Sequence, residues 1–329
     1  LDPMAATMNA IASEVIGNPQ RVVFAEGEEE KAIRAAVAFR NAGYGHPVLV
    51  GREDRIEDTM KAMGLGSLDG IEIHNAAKSS HTKEYTDFLY KRLQREGYLY
   101  RDCQRLVNQD RNVFGACLVA MGDADSMVTG LTRTHAVVVK EIAKVIDTRP
   151  NELMFGLTML ITRGRTVFIC DTTIHETPTA EQLADIATGA ANKVRQMGHE
   201  PRVAFLSYST FGSPQGGETT RAREAKEILD RRSVDFEYDG EMGANVALDT
   251  ELQKVYPFTR LSGPANVLVM PGLHSANISY KLLHKLGGGT VIGPMLIGLA
   301  APVQIVHLDA NVSDVVNMAL IAAHDALKH

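Results

Sequence analysis

Two hydroxyl-rich stretches carry the residue types most suited to chemistry in this chain. Ser207-Tyr-Ser209-Thr210-Phe-Gly212-Ser213 follows the β-forming run 202–206, and Thr129-Gly130-Leu-Thr132-Arg133-Thr134 follows Ser126-Met-Val. Hydroxyls and backbone N–H groups beyond a strand end can hold an anion, and an arginine there suits a phosphate or carboxylate. The same residues also fit plainer roles: a Ser/Thr turn bonding its own backbone, and a surface salt bridge for Arg133. Asn277 and Lys281, four apart, share one helix face, where the lysine either meets a phosphate or stands in solvent. His307 is of a type that can act as acid or base, while Asp314 falls at the third position of a helix, where an acid suits a cap.

The elements that must position these residues alternate. β-forming runs at 21–26, 46–50, 71–74, 124–130, 202–207, 236–238 and 266–271 are separated by helical patterns. Helices are predicted from the acids after Gly27 to Gly43, and over 83–95, 132–146, 218–232 and 276–286. Another runs from the Thr179-x-x-Gln182 capping box to Met197. The runs 155–162 and 166–171 read as a hairpin about Arg163-Gly164-Arg165, and 113–121 fits helix or strand. Pro302-Val-Gln-Ile-Val306 is a buried strand behind a proline. Asn311 then caps a helix to about Leu327, with Asp314 completing a near capping box. Strands and helices alternating in both halves predict two three-layer α/β/α Rossmann-like domains, divided near Asp147-Thr-Arg-Pro-Asn151. Ligands of such sheets bind at the carboxyl ends of strands, so an interdomain cleft is the expected site.

Composition excludes several classes. Over 329 residues, 45% are apolar and 22% charged, as in an ordinary soluble protein. A net charge of −6 argues against non-specific nucleic-acid binding, and no apolar run reaches a membrane span. Cys103, Cys117 and Cys170 lack metal-ligand spacing and read as reduced, buried thiols of a cytoplasmic protein. Residues 1–17 resemble an amphipathic helix with Glu14, not a secretory signal. The opening Leu-Asp-Pro suits a domain of a longer polypeptide as well as a tag scar. Gly287-Gly-Gly289 neither follows a strand nor opens a helix, so it reads as a loop, and no NAD(P) or metal site is expected in this chain.

Gly298-Leu-Ala-x-Pro302-Val followed by Val312-x-Asp314-Val-Val-Asn317 resembles the terminal signature of the phosphotransacetylases, which move an acetyl group between phosphate and coenzyme A. Ser207-x-Ser209-Thr210-x-Gly212-Ser213, Thr129-Gly130 and Asn277-Ile-x-Tyr280-Lys281 resemble further motifs of that family, in which Arg133 stands where a histidine is common. The resemblance implies a phosphotransacetylase or isocitrate-dehydrogenase-like fold. It places residues 1–147 with 290–329 in the first domain and 148–289 in the second.

The signature departs at its centre. Where active members typically read Asn-Asp-Leu-Ser-Arg-Gly, this chain reads Gln304-Ile-Val-His307-Leu308-Asp309, and Leu308 has neither donor nor charge for a phosphate. Gly243, Asn245 and Gly272 replace a glutamine and two aspartates of the family. A narrower likeness is to the transacetylase-like C-terminal region of large bacterial-type NADP-dependent malic enzymes, carried by Tyr256-Pro-Phe-x-Arg260-Leu-Ser-Gly-Pro and Pro302-Val-Gln-Ile-Val.

That likeness implies a catalytically inactive module, with His307, Leu308 and Asp314 degenerate positions, that binds acetyl-coenzyme A as an allosteric inhibitor and helps assemble a homo-oligomer. The ligand residues it implies are Thr129, Gly130, Arg133, Thr134, Ser207, Ser209, Thr210, Asn277, Tyr280, Lys281 and His307. NADP and a divalent metal would belong to the malic half of the same polypeptide. A working phosphate acetyltransferase and a purely structural dimerisation module are the alternatives.

Overall fold

The strands form where β-branched and aromatic residues run together. A computed structural model describes residues 3–329, so Leu1 and Asp2 of the expected N-terminal helix lie outside the described residues; the helix itself is Pro3–Gly17. In chain order the strands are β1 Gln20–Phe24, β2 Gly45–Val50, β3 Glu72–His74, β4 Ser126–Thr129, β5 Phe155–Thr162, β6 Arg165–Cys170, β7 Arg202–Leu206, β8 Glu237–Met242, β9 Val267–Val269, β10 Thr290–Ile297 and β11 Val303–Ile305. They make two sheets in two compact units.

The first unit comprises residues 8–147 and 299–329. Its five strands are all parallel, in the order β11-β4-β1-β2-β3. Val22, Val23, Phe24, Val48, Leu49, Val50, Met127 and Val303 are sealed from solvent, the continuous apolar pattern of strands covered on both faces. Helices Glu30–Asn41 and Val312–Lys328 pack on each other and on this sheet, while Arg111–Ala120 packs on β1, β2 and β4. The segment 113–121, legible as helix or strand, is thus helical.

The second unit is Thr148–Gly298 with residues 3–7, a departure from the expected division, and its sheet runs β10-β5-β6-β9-β7-β8. The hairpin of β5 and β6 turns through Arg163 and Gly164, both at positive φ, as a two-residue turn requires. Residues 290–298 also depart from the expected division. They lie in this second unit because β10 pairs antiparallel with β5, so the return to the first unit begins at Leu299. The bulge between Ile292 and Met295, at Gly293-Pro294, broke the sequence signal for this strand.

The last helix forms as its cap predicts. Asn311 Oδ1 accepts from Asp314 N at 2.8 Å and Asp314 Oδ2 accepts from Asn311 N at 3.0 Å. Replacing Asn311 with Ala should lower stability by about 1 kcal/mol in urea unfolding, whereas Asp at that position should be nearly neutral. Helix His135–Ala143 follows Thr134, two residues beyond the expected cap Thr132, because Thr132 is engaged elsewhere. All three cysteines are buried, and burial pushes their thiols above the ordinary range.

Candidate functional site

In the first unit, β4 and β11 run side by side with Thr129 opposite Ile305, and Val306 N donates to Thr129 O at 2.7 Å. This pairing sets Thr129 and Gly130, which open the loop to Arg133 and Thr134, beside Val306, the residue before His307, at the carboxyl ends of the two strands. Gly130 has φ 127°, and a Cβ there would lie 2.2 Å from Val306 O, so only glycine lets the two strand ends meet.

The loop after β4 already holds an anion. Glu26, two residues beyond β1 and 5% exposed, accepts from the backbone N–H groups of Gly130 (2.7 Å), Leu131 (2.8 Å) and Thr132 (2.6 Å), and from the Thr132 hydroxyl. A carboxylate of the chain therefore occupies the nest that the sequence offered to a ligand. The Thr129 hydroxyl lies 2.6 Å from Asn112 Oδ1, and Asn112 Nδ2 donates to buried Glu141 at 2.6 Å. Arg133 bonds Glu141 and reaches Asp110 at 3.1 Å, which is the salt-bridge alternative for this residue. Two carboxylates offset its charge, so its pull on a phosphate is weakened.

Beyond β11, His307 and Leu308 are exposed. Leu308 lines a cavity of about 550 Å³ with Glu29, Glu30, Lys31, Arg34, Leu131 and Val312. Lys31 Nζ donates to Ala310 O at 2.8 Å, and Arg34 pairs with Glu30 at 3.0 Å. The carboxylate of Asp314 closes the helix cap, the structural role open to it from the sequence.

In the second unit, the loop after β7 is partly self-satisfied, since Ser207 Oγ accepts from Ser209 N at 3.1 Å and Thr210 N donates to Ser213 O at 3.0 Å. Thr210 Oγ1 also accepts from Gly243 N at 2.9 Å, tying the loop to the end of β8. Glu241, 1% exposed, takes Arg223 at 2.9 Å on one oxygen. Its other oxygen and Ser209 Oγ are buried with no hydrogen-bond partner among the described residues, so this loop retains unused polar capacity. On helix Leu273–Gly287, Asn277 Nδ2 donates to Thr172 O at 3.4 Å and Lys281 is exposed, while Tyr280 is buried against Leu206, Met242 and Ala276. Tyr280 is a core residue here.

The glycines that replace family side chains lie close against their neighbours. A Cβ at Gly272 would lie 2.3 Å from Glu176 O, and one at Gly243 would lie 2.6 Å from Asn245 Oδ1. The family's aspartate would not fit at Gly272 without backbone movement, whereas a side chain at Gly243 needs only the Asn245 side chain to turn aside.

Residues 6–323 match the family described as phosphate acetyl/butaryl transferase. The chain belongs to this family. It is 31% identical to a phosphate acetyltransferase of Bacillus subtilis, over 98% of this chain and all of that protein. It is 53% identical to an NADP-dependent malic enzyme of Rhizobium meliloti, over 99% of this chain and 43% of that enzyme, in its C-terminal part. The chain thus spans less than half the length of the malic enzymes it matches. A phosphotransacetylase structure from Streptococcus pyogenes superposes with TM-score 0.94 at 28% identity, covering 99% of both chains.

Sequence reasoning missed the network of Glu26, Asn112 and Glu141. Glu26 reads as the last residue of the strand 21–26, and its partners lie more than 100 residues away along the chain. The one local signal was an acid placed directly after a buried strand.

Proposed function

We propose that the chain is a regulatory acetyl-coenzyme A-binding, oligomerising module joined to a malic-enzyme half, and that it does not itself transfer acetyl groups. The observation that carries this reading is Leu308, 50% exposed on the cavity beyond β11 where the family's signature places an arginine. An isobutyl group offers no donor to a phosphate, so the phosphate that would accept or release the acetyl group, and the charge that develops as it does, has no cation to meet there. Asp314, the residue that would take the thiol proton, is held in a helix cap. The likeness to malic enzymes supports a partner half that oxidises and decarboxylates malate with NADP and a divalent metal in the cytoplasm. The Ser207–Thr210 and Thr129–Thr134 loops, with His307 and Lys281, are the ligand residues this reading uses.

Regulation requires that acetyl-coenzyme A bind one arrangement of the protein more tightly than another, since a ligand shifts an equilibrium only by its differential affinity. The expected result is a saturable rise in melting temperature with acetyl-coenzyme A, accompanied by a change in malate oxidation by the full-length enzyme. No thermal shift at millimolar ligand would leave only a structural dimerisation module. Similarity over full length to the Bacillus subtilis acetyltransferase supports the second reading, a working phosphate acetyltransferase.

A further inference from the structure

Three side chains of the first unit outside the β4 loop converge on one point. His81 precedes helix Thr82–Leu93, Glu84 stands three residues on along the same face, and Asp123 lies in the turn after helix Arg111–Ala120. One ligand atom from each falls within 4.8 Å of the others. We propose that His81, Glu84 and Asp123 form a site for one divalent transition-metal ion, with zinc the best fit. This departs from the sequence expectation that placed a metal only in the malic half, and it does not rest on the acetyl-coenzyme A reading.

The spacing favours a metal over simple ion pairing. His81 Nδ1 is 3.7 Å from Glu84 Oε2 and 3.8 Å from Asp123 Oδ2. Both separations exceed a hydrogen bond, and an imidazolium placed between two carboxylates would close on one of them. Two ligands held about 2.1 Å from a tetrahedral ion sit about 3.4 Å apart. His81 is therefore within a few tenths of an ångström of that spacing from each carboxylate, and the exposed Glu84 side chain can swing to close the third side, now no longer than 4.8 Å. One imidazole and two carboxylates leave a fourth position for water, a donor set suited to zinc.

The surroundings orient these ligands as outer contacts do at metal centres. Buried Tyr85 donates its hydroxyl to Asp123 Oδ2 at 2.6 Å, and its ring stacks on His81 with centroids 5.0 Å apart and planes 8° apart. His74, whose ring centroid is 5.9 Å from that of His81, has its Nε2 engaged by Glu72 at 2.8 Å. Lys83 extends to Asp87 at 2.7 Å, so the lysine nearest in sequence is engaged outside the cluster. A metal here would clamp the start of one helix to the turn ending another, both within one unit.

The test is calorimetric titration of zinc chloride into chelator-treated protein, with melting temperature as a second readout. One saturable equivalent and a higher melting temperature are expected. His81→Gln and, separately, the more exposed Glu84→Gln should each weaken binding more than about tenfold, and Tyr85→Phe by about tenfold. Absence of saturable binding, or affinity unchanged in both His81→Gln and Glu84→Gln, would overturn the proposal.

Discussion

Replacing Glu26 with Ala is expected to destabilise the first unit by on the order of 3–5 kcal/mol, well above the roughly 0.5 kcal/mol of an ordinary surface substitution. The side chain is 5% exposed and accepts from three backbone N–H groups and a hydroxyl. Its removal leaves the buried Gly130 N–H without an acceptor and the part-buried donors of Leu131 and Thr132 without their charged partner, and the loop from Thr129 to Thr132 loses its centre. Glu26→Gln keeps the shape but turns an amide NH₂ toward donors, so it should recover less than half of the loss. Urea unfolding measures this directly. A loss below about 1 kcal/mol for Glu26→Ala would mean that the nest is satisfied by something other than the carboxylate.

The second large effect concerns chemistry. With acetyl phosphate and coenzyme A, the unaltered chain is expected to form no thioester above background. Removing one preorganised donor from a site that stabilises developing charge lowers rates by about 10²–10³, and here the arginine position holds Leu308 while Asp314 is bound in a cap. His307→Ser combined with Leu308→Arg restores the family's pair and should raise turnover from background to a measurable rate. The gain stays well short of an active family member, because Gly243, Asn245 and Gly272 still lack the glutamine and two aspartates that the family carries at those places. Robust turnover by the unaltered chain, lost in Asp314→Asn, would instead establish the acetyltransferase reading.

What could be read in the sequence was what is local. Val22–Phe24, Val48–Val50 and Val303–Ile305 are short β-branched or aromatic runs between glycines, prolines and helices, and all are buried strands. The Asn311–Asp314 cap is encoded within four residues, so its geometry followed from residue type alone. Helices Glu53–Met63 and Tyr100–Gln109 escaped notice because each buries only two side chains, Ile56 and Met60 in one and Cys103 and Val107 in the other, among many charges. β10 was hidden by its own bulge.

The candidate site was less legible, since its decisive contacts are tertiary. Arg133 meets Asp110 across 23 residues, and Glu26 reaches Gly130 across 104. No local pattern distinguishes a loop whose N–H groups await a ligand from one whose N–H groups hold a carboxylate of the same chain. The resemblance located the loops. Packing decided which of their groups remain available.

Calorimetry of acetyl-coenzyme A injected into the chain in phosphate buffer tests binding without acyl transfer most directly. Injections that saturate and return to the starting baseline, the signature of a bound but unconverted thioester, are the predicted result. A sustained heat flow after each injection, which marks turnover, or no heat at millimolar ligand, would contradict it.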